Sequence, residues 1–209
     1  MSKENIETVF DKTITLAITG ASGAQYALRL LECLLAKQCR VYLMISRAAE
    51  VVIRTETDLV LPDGLTDQQA LLGKMYHAKE GQLILFSRED WFAPVASGSS
   101  SPSSMVICPA SSGTLSSIAN GASNNLIERA ADVALKERRQ LILVPRETPY
   151  SQVHLENMLK LTQMGAVVLP ASPGLYQKPN SIGDLIDFIV ARILDQLEIE
   201  QAVFPRWGE

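Results

Sequence analysis

The stretch T-I-T-L-A-I-T-G-A-S-G-A, residues 13–24, decides the fold. Its first six residues are apolar or β-branched and predict a short strand, which Thr19 and Gly20 end in a tight turn. Beyond Gly23 the apolar residues recur at helical spacing, at Tyr26, Leu28, Leu31, Leu34 and Leu35. This order of strand, glycine turn and helix predicts the first unit of a parallel α/β sheet.

The same alternation continues along the rest of the chain. Further apolar strands are predicted at residues 41–45, 105–108, 141–144 and 166–169, and helices at residues 47–54, 124–138, 151–162 and 181–197. These strands are continuously apolar, which indicates that helices cover both faces of the sheet. The sequence therefore predicts an α/β fold with a doubly wound, mostly parallel sheet, of the flavodoxin-like or Rossmann-like class.

The length of 209 residues suits a single domain spanning residues 1–209. Residues 1–12 are polar and predict a flexible N-terminal segment, and residues 57–83 predict a helix and loops. Residues 94–104, P-V-A-S-G-S-S-S-P-S-S, are typical either of a flexible linker or of an active-site loop. Because they separate two strands of one sheet, we interpret them as a Ser/Gly-rich active-site loop.

Composition excludes several classes of partner. The chain has 19 basic and 23 acidic residues and a formal charge of -4, which gives no general attraction to nucleic acid or to an anionic membrane. Its three cysteines are odd in number and lack C-x-x-C spacing, as expected in a reducing cytoplasm. The N-terminus has no apolar signal region, and no run of 18 apolar residues occurs, so we expect a cytoplasmic protein.

Small residues follow the first two strands. The turn Gly20, Ala21 and Ser22 can bring backbone N–H groups close to an anion at the start of a helix, although it could also be a simple tight turn. It is not the G-x-G-x-x-G sequence of dinucleotide-binding proteins. Ser46 ends the second strand, where such proteins carry an acidic residue, and this argues against NAD.

Two more strand ends carry polar groups. Ser111, Ser112, Gly113 and Thr114 follow the strand at 105–108, and Arg146 and Glu147 follow the strand at 141–144. The arginine and glutamate are either an anion binder beside a proton carrier or a salt bridge within a loop. Since the carboxyl ends of parallel strands line one crevice, these loops favour a phosphorylated planar cofactor such as FMN.

Three other cationic residues and one tyrosine can each be interpreted in two ways. Arg129 and Lys136 share one polar stripe of the helix at 124–138, which taken alone is a solvated face. Arg192 borders the apolar face of the last helix, and Tyr176 lies in a Pro/Gly-rich loop, so each either packs or contacts a ligand.

Metal and serine-hydrolase chemistry have no support in the sequence. Neither His77 nor His154 has a cysteine or carboxylate at metal-ligand spacing, and we predict no metal site. The turn after the first strand is not the G-x-S-x-G nucleophile elbow of hydrolases.

Eight motifs together resemble the UbiX-type flavin prenyltransferases. They are T-G-A-S-G-A-Q-Y-A at 19–27, T-E-T-D at 55–58, D-W-F-A-P-V-A-S-G-S-S at 90–100, M-V-I-C-P-A-S-S-G-T-L-S at 105–116, N-N-L-I-E-R-A-A-D-V-A-L-K-E-R-R at 124–139, L-V-P-R-E-T-P-Y-S at 143–151, H-L-E-N-M-L-K-L at 154–161 and P-R-W-G at 205–208. The resemblance implies flavodoxin-like subunits in a homo-oligomer, a dodecamer. It also implies transfer of a dimethylallyl group from dimethylallyl monophosphate to N5 and C6 of reduced FMN, without a metal. The prenylated FMN would serve UbiD-type decarboxylases in ubiquinone biosynthesis.

The resemblance also assigns roles to individual residues. FMN binding falls to Gly20, Ala21, Ser22, Ser46, Ser111, Ser112, Gly113, Thr114 and Arg146. Tyr176 and Arg192 would hold the prenyl phosphate, with Arg129 and Lys136 added from a neighbouring subunit. Proton handling falls to Ser22, Glu56 and Glu147, and aromatic walls to Trp91 and Trp207.

Two alternatives remain open at this point. One is a flavin-dependent decarboxylase of the same superfamily, although its early catalytic histidine and P-x-M-N-type loop have no clear counterpart here. The other is a non-catalytic FMN-binding regulator or electron carrier, which would need the phosphate loop but not the set of cations.

Overall fold

Six parallel strands and seven α-helices form the part of the chain that the computed structural model describes, residues 10–205. The strands are β1 Thr13–Ile18, β2 Arg40–Ile45, β3 Leu83–Leu85, β4 Ser104–Ala110, β5 Gln140–Pro145 and β6 Val167–Val168. The helices are α1 Ala24–Ala36, α2 Arg47–Glu56, α3 Leu65–Met75, α4 Ser112–Ala119, α5 Leu126–Lys136, α6 Gln152–Gln163 and α7 Ile182–Gln196. A single 3₁₀ turn, Pro94–Ala96, precedes β4.

The strands lie in the order β3-β2-β1-β4-β5-β6, and every neighbouring pair is parallel. Ile14 of β1 lies opposite Val41 on one side and Ser104 on the other. This is the strand order of Rossmann-type doubly wound sheets, so the predicted fold class is confirmed. The order reverses between β1 and β4, and a ligand crevice is expected above the carboxyl ends of these two strands.

Two hydrophobic cores sandwich the sheet. Leu16 and Ile18 of β1 pack in a core with α1 and α7, whereas Ala17 faces the opposite core with α4 and α5. Side chains alternate between the two faces of a strand, so both sets must be apolar when both faces are covered. This is the physical reason for the unbroken apolar runs in the sequence.

Helices α2, α4 and α5, which start at the carboxyl edge of the sheet, have side-chain N-caps. Ser46 Oγ accepts a hydrogen bond from Ala49 N at the start of α2, and Ser111 Oγ accepts one from Thr114 N at the start of α4. Asn125 Oδ1 caps α5 in the same way. Because α2 and α4 begin directly after β2 and β4, their free N–H groups lie at the edge where the ligand crevice is expected.

Residues 94–104 are fixed to α5 and to Arg139, which follows it. Arg129 Nε donates to the carbonyl of Ala96 at 3.1 Å, and Arg139 Nη1 donates to that of Pro102 at 3.2 Å. Arg139 also donates to the carbonyl of Gly98. These bonds, and the position between two strands of one sheet, argue against a flexible linker. The role of the segment as an active-site loop stays a prediction.

Some predicted boundaries differ from the structure. Strand β6 has two residues, fewer than the four predicted at 166–169, because it is an edge strand that pairs only with β5. Of the N-terminal segment, residues 1–9 lie outside the described residues, while Lys12 Nζ donates to the carbonyl of Leu197 at 2.9 Å. No helix among residues 10–205 is both long and apolar enough to cross a membrane.

Candidate functional site

Thr19 joins the loops that follow β1 and β4. Its hydroxyl donates to the carbonyl of Pro109 at 2.8 Å and accepts a hydrogen bond from Ser111 N, also at 2.8 Å. Thr19 is buried, so this pair of bonds is shielded from water. The sequence pattern indicated Thr19 only as the end of a strand. A hydroxyl residue directly before the glycine turn is the signal that points to its role here.

The glycine turn fits closely against α2. A Cβ atom added at Gly20 would come within 2.3 Å of the Ala48 Cβ, so the backbone can approach α2 only without a side chain. Gly23 precedes α1 with φ of 107° and has no side chain that could cap the helix. The first N–H groups of α1 therefore need acceptors from elsewhere.

Glu56, the last residue of α2, supplies that acceptor. Its Oε2 accepts hydrogen bonds from Gly23 N at 2.8 Å and Ala24 N at 3.0 Å. Partial burial acts to raise the pKa of Glu56, but hydrogen bonds from the Ser22 hydroxyl and these two N–H groups, with the charge of Arg146, outweigh it. The pKa of Glu56 is therefore lowered, and Glu56 is a carboxylate at neutral pH beside the Ser22 hydroxyl.

The loop after β5 contacts the loop after β1. Arg146 Nε donates to the carbonyl of Ser22 at 3.3 Å, which carries the guanidinium across the end of β4 to the first loop. Ser112 Oγ donates to Glu147 Oε2 at 3.5 Å, a long contact at the start of α4. The loops after β1, β4 and β5 thus converge, as expected for a ligand crevice at the switch point.

Hydroxyl groups and helix N-termini surround a small cavity beside these loops. It has a volume of about 60 Å³ and is lined by Thr19, Ser46, Arg88, Thr114, Asn125, Ile127 and Glu128. Thr114 Oγ1 lies 2.9 Å from Ser111 Oγ, and the Cα of Gly113 faces open space. Hydrogen-bond donors around a small space, with room at a glycine, suit the phosphate and ribityl groups of FMN.

Tyr176 and Arg192 line a second, larger cavity of about 770 Å³. Tyr176 packs edge-to-face on Phe188 with ring centroids 5.8 Å apart, and Phe188 packs in the same way on Phe204 at 5.3 Å. Arg192 Nη1 forms a salt bridge of 2.8 Å with Asp195. The phenol, the guanidinium and the aromatic rings suit a phosphate attached to an apolar group. Three acidic residues, Asp195, Glu198 and Glu200, line the same cavity, so within one chain its cation is outnumbered. The two phenylalanines were not foreseen from the sequence.

The remaining predicted site residues do not join these groups within one chain. Arg129 forms a 2.9 Å salt bridge with Asp132, Lys136 pairs with Glu137, and neither cation lines the larger cavity. Trp91 is about half exposed, and Trp207 lies outside the described residues. A site that uses Arg129 or Lys136 together with Tyr176 would need a second copy of the chain.

Comparison with known proteins decides the family. The family model described as Flavoprotein matches residues 2–194. The flavin prenyltransferase UbiX of Pseudomonas aeruginosa is 61% identical over 196 residues, which cover 94% of each chain. The chain belongs to the UbiX family of flavin prenyltransferases. The resemblance found in the sequence motifs is therefore confirmed.

Solved structures of UbiX proteins have the same fold. One, solved in complex with FMN and dimethylallyl pyrophosphate, is 40% identical with a TM-score of 0.84, and the match covers 95% of this chain and 98% of that one. A dodecameric FMN-dependent UbiX-like decarboxylase from Escherichia coli is 36% identical with a TM-score of 0.83, over 94% of this chain and 100% of that one. FMN, predicted from the loops at the carboxyl edge, is the flavin named for both relatives.

The hydrogen bonds of Glu56 predict a pH-dependent stability. A carboxyl whose pKa is lowered by folding stabilises the native state fully above its unfolded pKa, near 4.5, and loses that effect as the pH falls through the folded value. We expect Glu56→Gln to lower the free energy of unfolding by about 1 kcal/mol at neutral pH. The difference from the unsubstituted chain should shrink as the pH falls below 4.5.

Urea unfolding at fixed protein concentration, in buffers from neutral pH down through 4.5, measures this difference. Glu89→Gln is the control, because Glu89 is exposed. A difference that stays constant with pH would contradict the electrostatic role of Glu56.

Proposed function

We propose that this chain transfers the dimethylallyl group of dimethylallyl monophosphate to N5 and C6 of reduced FMN. The product, prenylated FMN, would pass to a UbiD-type decarboxylase in ubiquinone biosynthesis in the cytoplasm. The observation that carries the proposal is that a chain 61% identical to a flavin prenyltransferase also has Tyr176 and Arg192 on one aromatic-walled cavity. The reaction itself rests on family membership, and the residue roles rest on the contacts described above.

FMN would be held by the loops at the carboxyl ends of β1, β2, β4 and β5. The residues concerned are Gly20, Ala21, Ser22, Ser46, Ser111, Ser112, Gly113, Thr114 and Arg146. When bound, the reduced flavin supplies the two nucleophilic positions, N5 and then C6, that bond to the allyl group. The chain contributes backbone N–H groups at helix starts, hydroxyls and one guanidinium, which together orient an anionic ligand.

The leaving phosphate would be stabilised by side chains around the larger cavity. When the allylic C–O bond breaks, its electron pair stays on the phosphate oxygen and positive charge develops on the allyl group. Tyr176, Arg192, Arg129 and Lys136 can stabilise the phosphate, and each fixed donor of this kind is typically worth about 3 to 4 kcal/mol. Two or three such donors account for departure of a monophosphate without a metal ion. The aromatic faces of Trp91 and Trp207 can stabilise the allyl cation.

Forming the second bond would consume the C=C bond of the attached dimethylallyl group: one alkene carbon takes up a proton, the other bonds to C6, and the proton on C6 must then leave. Glu147 lies next to Arg146 and contacts Ser112, so its carboxylate is suited to accept this proton, as is the departing phosphate. Ser22 and Glu56 would form a second proton-transfer pair at the other side of the crevice. The hydrogen bond between them, and the lowered pKa of Glu56, favour the hydroxyl as donor and the carboxylate as acceptor.

The complete site would lie between copies of the chain. Arg129 and Lys136 are outside the cavity of Tyr176 and Arg192 in one copy, which is the reason to assign them to a neighbour. The UbiX-like relative from Escherichia coli is dodecameric. We infer a homo-oligomer here as well, a dodecamer.

The reaction has a direct test in the mass of the flavin. We expect the purified chain, given FMN, dithionite and dimethylallyl monophosphate, to add one dimethylallyl group to the flavin, as measured by mass spectrometry. A decarboxylase or a flavin-binding regulator would leave the mass of the flavin unchanged. Omitting either dithionite or the allylic phosphate is the control, and no mass increase with any allylic phosphate would overturn the proposal.

The role of Glu147 is tested by an isosteric change. Glu147→Gln removes the proton acceptor but keeps the size of the side chain, so FMN affinity should be unchanged. Prenylation should slow by roughly 10²- to 10⁴-fold, the usual contribution of a positioned acid or base. Flavin fluorescence measures binding, and single-turnover formation of the product measures the rate. Turnover equal to that of the unsubstituted chain would exclude Glu147 as the proton acceptor.

The shared site predicts complementation between two inactive variants. Lys136→Ala and Arg192→Ala should each slow prenylation by roughly 10²- to 10³-fold, because each removes a fixed donor to the phosphate. In oligomers co-expressed from both variants, random mixing leaves about one site in four with both cations intact. We therefore expect about a quarter of the activity to return. If both cations acted from one chain, mixed oligomers would gain nothing.

A further inference from the structure

Arg88 lines the small cavity next to Ser46 and Thr114, and neither the sequence motifs nor the assigned FMN residues include it. It lies in the connection between β3 and β4, and its carbonyl accepts a hydrogen bond from Leu126 N at 2.7 Å. This bond fixes the backbone of Arg88 to the start of α5. Among residues 10–205, no hydrogen bond or ion pair engages the guanidinium, which is only partly exposed.

The groups around this cavity are arranged for an anion. Ser46 begins α2, Thr114 lies in the first turn of α4, and Asn125 begins α5, so three helix N-termini meet at one small space. The volume of about 60 Å³ is about two water molecules' share of liquid volume, at about 30 Å³ each. That is room for a compact group such as a phosphate and not for a ring system.

An anion could bind beside Glu128 only if a cation offset the charge of this residue. It is buried, it also lines the cavity, and its Oε2 accepts a hydrogen bond from Asn124 N at 2.8 Å. Arg88 and Glu128 are the two charged residues among those lining the cavity. Without Arg88, the formal charge at the cavity would be that of the carboxylate alone, which would repel a phosphate.

We propose that Arg88 binds the terminal phosphate of the flavin and makes this chain select FMN over riboflavin. The assignment rests on the proposed function, because Ser46 and Thr114 belong to the proposed FMN site. Arg88 acts as a positioning and specificity residue: it holds the end of the flavin chain away from the reacting atoms. A merely structural Arg88, present to offset Glu128, would affect both flavins equally.

The test compares the two flavins on four proteins. Dissociation constants for FMN and for riboflavin are measured by flavin fluorescence on the unsubstituted chain, Arg88→Ala, Arg88→Lys and Arg47→Ala. We expect Arg88→Ala to weaken FMN by roughly 10- to 100-fold, the range for one hydrogen bond to a charged group, and to leave riboflavin unchanged. Arg88→Lys keeps the charge and should retain part of the preference for FMN.

Arg47→Ala is the matched control, because Arg47 is an exposed arginine beside Ser46 that lines only the neighbouring cavity, whereas Arg88 lines both that cavity and the small one. It should leave both affinities unchanged. Equal weakening of both flavins by Arg88→Ala, or unchanged FMN affinity, would overturn the assignment while leaving the prenyltransferase proposal intact. If the unsubstituted chain bound neither flavin, the proposed function itself would fail, and the assignment with it.

Discussion

The Glu56 carboxylate on the first turn of α1 is the interaction on which the site depends. Gly20 must lack a side chain to lie against α2, and Gly23, which precedes α1, has no side chain that could cap that helix. Glu56 returns from the far end of α2 and accepts the hydrogen bonds of Gly23 and Ala24. Its own carbonyl accepts a further bond from Gln25. Glu56 thus caps the N-terminus of α1, orients the Ser22 side chain and holds the glycine turn in place.

Local pattern was enough to predict the fold but not this site. The apolar runs, the helical spacing after Gly23 and the small residues at strand ends all act within a few residues, and the fold class they predict was confirmed. The contacts that organise the site are long-range: Glu56 lies 33 residues from Gly23, and Thr19 lies 90 residues from Pro109. Only the resemblance to a family pointed to Glu56. Nothing in the sequence marked Arg88, because its neighbours come from four separate elements.

The net charge of -4 hides cations that are held in weak pairs. Arg192 pairs with Asp195, Arg129 with Asp132, and Lys136 with Glu137, and these side chains are at least partly exposed. Exposed ion pairs contribute only about 0 to 1 kcal/mol. A phosphate carrying up to two negative charges can therefore compete with each carboxylate for its cation. In the proposed site, the acids would keep the cations positioned between turnovers without binding them tightly.

The two phosphates of the proposed reaction need opposite treatment. The phosphate of the prenyl donor must depart, and its cavity offers exposed side chains such as Arg192, whose pairing with Asp195 re-forms when the ligand leaves. The flavin phosphate must stay while the ring reacts. Its cavity is lined by helix N-termini and by hydroxyl groups at the starts of helices. These groups are held in place by the fold, so they lose little freedom when a ligand binds. Rigid donors in the small cavity and exchangeable cations in the larger one would let the proposed site retain one phosphate while it releases the other.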